Sequence, residues 1–108
     1  MADFNVFLNA LKDAVLDFAS KNWKEQLEAV TADGNVFIDK AKEDLQRWTQ
    51  LLAEKKISAN DLEWLVKGKK DLAEMLALKQ AGLTVVMIDR CKSGLVDLVI
   101  KTALKFFL

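Results

Sequence analysis

Proline, histidine and tyrosine are absent from this 108-residue chain, and cysteine occurs once. Without proline there is no fixed break, so long helices are unobstructed. Without histidine the chain lacks the commonest general acid–base and the commonest metal ligand. A lone Cys91 excludes an intrachain disulfide and suits a reducing cytoplasm. Charge of one sign is also missing. Sixteen basic residues balance sixteen acidic ones. A neutral chain has no long-range field to draw in a phosphate backbone, so nucleic acid is not an expected partner, and self-association meets little repulsion. No run of about 18 apolar residues exists, which argues against a membrane-spanning helix. The first residues, Met-Ala-Asp-Phe, carry no basic region followed by an apolar core, so no secretory signal is expected.

What is abundant is apolar residues at helical spacing. Hydrophobic residues make up 52%, and with glycine added the fraction exceeds the ~45–50% usual for soluble domains. The chain is expected to form a single helical domain over residues 1–108. A first helix is predicted after Asp3, a suitable cap, with Phe4, Leu8, Leu11, Val15 and Phe18 on its inner seam. The seam then shifts and resumes through Trp23, Leu27 and Val30.

Thr31-Ala-Asp-Gly-Asn35 admits two readings. Asp-Gly-Asn is turn chemistry. Yet the apolar row crosses it in phase, through Leu27, Val30, Gly34, Phe37 or Ile38, Ala41, Leu45, Trp48 and Leu52. A break there gives a four-helix up-and-down bundle. Continuity gives one helix to about Lys56, roughly 75 Å long, which two shorter helices cannot cover, so an intertwined dimer follows. The fold class is all-α in both cases, an antiparallel bundle of three to four helices.

The next boundary is sharper. Ser58 with Asp61 three residues on forms a short capping box, and Ile57 with Leu62 forms a staple. A third helix is predicted to run to Ala81 with Leu62, Leu65, Leu72, Met75 and Leu76 turned inward and a Glu63–Lys67 pair outside. Gly82 should close it in a Schellman motif joining Leu83 to Leu78, and Thr84 should cap the last helix. In that helix Asp89, Ser93, Asp97, Lys101 and Lys105 follow one another at four-residue intervals. One narrow polar stripe leaves an apolar arc wider than a core-facing helix needs. Ser93-Gly94 is read as a weak or kinked point.

The chemistry-bearing patterns favour structural readings. Asp13 and Asp17, and Glu25 and Glu28, lie opposite the apolar rows and read as a solvated face. Lys67-Gly68-Lys69-Lys70 lacks the upstream glycine and following Ser or Thr of a phosphate loop, and Gly68 reads as a point of close helix approach. Cys91 reads as buried and structural. No nucleophile–base pair, metal set or cofactor motif is present, so neither catalysis nor a cofactor is expected. The expected function is a non-catalytic, cytoplasmic protein–protein interaction or scaffold module that forms a homo-oligomer, a dimer first, and is compatible with a further protein partner. Interface candidates are Trp64, off its helix's main row, and Val86, Leu95, Val99, Phe106 and Phe107 on the wide arc. The alternative is a peripheral lipid- or hydrophobic-surface-binding protein using the amphipathic segment 84–108.

Overall fold

The computed structural model describes residues 3–69 and 74–108. These form an all-α fold, and among them there is no strand. Helix α1 spans Phe4–Asn22, and a short 3-10 turn, Lys24–Gln26, leads into α2, Leu27–Ala53. Helix α3 spans Ala59–Lys67, α4 spans Leu76–Gln80, and α5 spans Val85–Phe107. The helices pack against one another in a body of 41 × 23 × 19 Å.

Local signals set most helix ends. The Asp3 carboxylate accepts from Asn5 N at 2.9 Å and opens α1. At the start of α3, Ser58 Oγ accepts from Asp61 N at 3.1 Å while Asp61 Oδ2 accepts from Ser58 N at 2.9 Å, the expected capping box. Thr84 Oγ1 accepts from Met87 N at 3.2 Å at the start of α5. Gly82, at φ +82°, closes α4 in the expected Schellman motif, with Leu83 N donating to Leu78 O at 3.3 Å and Gly82 N to Lys79 O at 3.1 Å. The same motif closes α2, with Lys56 N donating to Leu51 O at 2.9 Å and Lys55 N to Leu52 O at 3.0 Å. There Lys55 takes the left-handed position, at φ +60°, that glycine usually fills.

One open reading is decided and two expectations need correction. First, of the two readings at Asp33-Gly34-Asn35 continuity holds, and the chain does not break there because α2 runs straight through. It breaks ten residues earlier, at Trp23–Gln26, where the first seam shifts. No fifty-residue helix exists, so the intertwined dimer loses its premise. Second, the predicted third helix to Ala81 is not one helix: α3 ends at Lys67, and Met75, at φ +39°, precedes α4. Leu72 lies outside the described residues, Leu76 points outward, and Leu78 is the fully buried residue of α4. Third, α5 is continuous through Gly94.

Gly34 and Gly94 are close-approach positions. A Cβ at Gly34 would sit 2.7 Å from Val15 Cγ1, and one at Gly94 would sit 2.5 Å from the Phe18 ring. Bare backbone at these two points lets α1 lie against α2 and α5. Gly68, by contrast, meets only its own helix and marks the end of α3 rather than a crossing.

The core is continuous. Phe7, Leu11, Val15, Val30, Phe37, Ile38, Leu45, Leu52, Leu62, Val66, Leu78, Leu95 and Val99 are all fully or almost fully buried. Ile57 and Leu65 are half-buried and pack on it. The polar stripe on α5 reaches solvent at every one of its five positions.

Candidate functional site

Beyond its first turn, the wide arc of α5 is occupied by the chain itself. Leu95 is 1% exposed and Val99 2% exposed, so neither lies on a surface. Phe106 and Phe107 are half-buried and meet Phe7 edge-on, with ring centroids 6.0 and 5.1 Å apart. Leu95 and Val99 belong to the intramolecular core, and Phe106 and Phe107 pack against it, because α1 supplies the facing apolar seam. Val86 and Trp64 are different. Val86 is exposed on the first turn of α5 beside Val85, and Trp64 is 79% exposed on α3. The structure brings neither of them together with the other candidates.

An apolar surface that sequence reading missed lies on the outer side of α2. Val36 is 50% exposed and Leu76 is 59% exposed. They line opposite walls of a cleft of about 240 Å³ between α2 and α4, with Ala32, Ala77 and buried Met75 also lining it. Lys40 and Glu74 line its charged end and pair at 3.6 Å. On the α1 side, Lys12 bridges Asp39 at 3.1 Å. Leu16 and Val36 each lie about one turn from that bridge toward the same end, because α1 and α2 run antiparallel. Leu16 is half exposed as well. The missed signal was a row at four-residue spacing, Glu28, Ala32, Val36 and Lys40, whose members all reach solvent.

Asp33 builds the far wall of this cleft. Its carboxylate, almost fully buried, accepts from Ala77 N at 2.9 Å and Leu78 N at 2.8 Å. It is therefore the N-cap of α4, supplied from α2 rather than from the preceding residue. Without it α4 would begin with two unsatisfied donors, that of Leu78 buried and that of Ala77 part-buried. The Asp-Gly pair that resembles a surface turn is an internal anchor, with glycine giving room for Val15 and aspartate holding α4.

Cys91 is fully buried, as expected of a structural thiol. Burial, and next the charge of Asp33, push its pKa up to about 11. A thiol so protonated is a poor nucleophile at neutral pH. Lys69 is held by Asp44 at 2.5 Å and Lys67 lies 3.7 Å from Glu63, so these two members of the Lys-Gly-Lys-Lys segment serve ion pairs. Lys70 lies outside the described residues. Among the described residues, no group of three or more potential metal ligands converges, and no helix is long and apolar enough to cross a membrane. No protein-family model, curated protein or solved structure matches the chain.

Proposed function

We propose that this chain is a non-catalytic helical protein–protein interaction module that self-associates through apolar helix surface left uncovered by its own fold. The observation that carries this reading is the exposed pair Val36 and Leu76 astride the cleft between α2 and α4. Exposed apolar side chains scattered singly need no explanation, but two flanking one concavity form a seat for another apolar side chain. The zero net charge adds no long-range repulsion between copies. In this reading the domain is a four-arm up-and-down bundle whose third arm is made of α3 and α4 in succession. Supporting it, Lys69 pairs with Asp44 and Ala77 with Asp33, so that arm ascends as α2 descends. A cytoplasmic setting suits the unpaired Cys91.

Sedimentation velocity over a concentration series tests the reading. The expected result is a species of twice the 12.2 kDa chain mass. A monomer at every concentration refutes it. The alternative, lipid binding through 84–108, has less support from the geometry. It needs Phe106 and Phe107 free to enter a membrane interface, and both are engaged with Phe7. Flotation with anionic vesicles separates the two readings.

A further inference from the structure

We infer that a second copy of this chain docks on the outer ridge of α2, with the two α2 helices antiparallel about a twofold axis that passes between Ala32 and Val36. This rests on the self-association proposed above and names its surface. Glu28, Ala32, Val36 and Lys40 are each four residues apart, so they form one ridge of the helix. All four reach solvent. Read in order they are an acid, a small residue, a larger apolar residue and a base.

That order is complementary to its own reverse. In an isologous contact, if residue i meets residue j, then j meets i. Antiparallel pairing about the midpoint of the ridge sets Glu28 against Lys40 of the second copy and Ala32 against its Val36, each twice. Ala32 carries only a methyl group, and the cleft of about 240 Å³ opens beside it, with Leu76 on the facing wall. Val36 of the second copy has its seat there, between Ala32 and Leu76. Lys40 already meets Glu74 at 3.6 Å, and its side chain is 48% exposed. An ammonium has three donors, so it can keep Glu74 and also meet Glu28 of the other copy. Within one chain Glu28 and Lys40 are about 18 Å apart along the helix. They cannot pair with each other intramolecularly.

A second copy fits this ridge better than a partner of one charge sign, because each half of the ridge supplies what the other half needs. Val6, Leu16, Trp64, Val85, Val86 and Leu108, the other large apolar residues exposed among the described residues, lie on other elements or at the chain's end.

Charge reversal tests the register. Glu28→Lys alone sets two bases against each other twice, and Lys40→Glu alone sets two acids against each other twice. Each variant alone should dimerise about tenfold more weakly. An equimolar mixture of the two should recover the wild-type mass, because each chain then supplies the other's complement. Val36→Glu should give the monomer mass with an unchanged far-UV circular dichroism spectrum, since the side chain points outward. If the wild type dimerises and Val36→Glu dimerises equally well, the ridge is the wrong surface and self-association stands. If the mixture associates no better than its components, the antiparallel register is wrong. If the wild type is monomeric throughout, both proposals fall.

Discussion

Replacing Asp33 with alanine should destabilise the fold by about 2–4 kcal/mol, far more than an exposed turn residue would. The carboxylate accepts two hydrogen bonds, at 2.9 and 2.8 Å, from consecutive backbone donors at the start of α4. Losing a helix cap costs typically ~1 and up to ~2 kcal/mol. Each buried N–H left without a partner costs ~1–3 kcal/mol. Against this, removing a buried carboxylate recovers its desolvation penalty, which keeps the net below the simple sum. Asp33→Asn keeps the shape and one carbonyl acceptor, so its loss should be intermediate, about 1–2 kcal/mol. Asp39→Ala is the control on the same helix. Asp39 is exposed in its bridge to Lys12, and its loss should cost under about 1 kcal/mol. Urea unfolding followed by tryptophan fluorescence reads all three, with Trp48 in the core as reporter. At ~4–8 °C per kcal/mol for a domain of this size, the melting temperature of Asp33→Ala should fall by at least about 8 °C. A loss within ~0.5 kcal/mol of wild type would show that Asp33 does not hold α4.

Other expected outcomes follow from the same geometry. Lys55→Gly should stabilise by about 1 kcal/mol, because Lys55 is exposed at φ +60° and glycine relieves the left-handed strain, as denaturation midpoints would show. Met75→Gly, at a similar φ, should instead destabilise, since the Met75 side chain is buried and its packing outweighs the relief. Gly34→Ala should cost more than Gly94→Ala in the same assay. A Cβ at position 34 strikes the stiff, buried Val15, whereas one at position 94 strikes the tip of half-buried Phe18, which can swing. The hydrogen bond from Lys69, and then its charge with that of Arg47, hold the Asp44 carboxyl below its ordinary 3.8. A depressed folded-state pKa means stability that is present above pH 3.8 and lost as pH falls through the lower value, so Lys69→Ala should flatten the acid limb of a stability–pH curve below about pH 4.

Signals that act within one or two turns were legible. Asp3, Ser58 with Asp61, Gly82 and Thr84 all do their capping through neighbours two to four residues away, so residue type and spacing suffice. Ile38, Ala41, Leu45, Trp48 and Leu52 were legible for a related reason: a single row on one helix needs no knowledge of what covers it. Signals with remote partners were left open or misread. Asp33 bonds to donors 44 and 45 residues later. Gly34 answers to Val15 and Gly94 to Phe18, so both carry a steric requirement that resembles chain punctuation when neighbours are unknown. The true break at Trp23 has no side-chain cap to announce it. Its one sequence trace is the phase shift of the apolar seam, which records that the inward face changes direction there.

The apolar arc of α5 shows why excess hydrophobicity on one helix is weak evidence for a second chain. Its width is real, since beyond the first turn, where Val85 and Val86 are exposed, solvent meets the stripe from Asp89 to Lys105 and the sides next to it. A helix with three neighbours needs more than one apolar face, and α5 packs against α1, α2 and α3 together. Phe7 takes up Phe106 and Phe107, Phe18 lies on Gly94, and Leu95 reaches the backbone at Gly34. The arc therefore reports the central position of α5 in its own fold. A contact between chains must come from residues left over when that fold is complete. Such residues stand out less by hydrophobicity than by being out of phase with the core. On α2 the core rows carry Val30, Phe37, Ile38 and Leu45, while Val36 lies on the outer side between Ala32 and Lys40. A half-exposed valine on that ridge adds little to monomer stability, which is why the proposed contact between copies is placed on it.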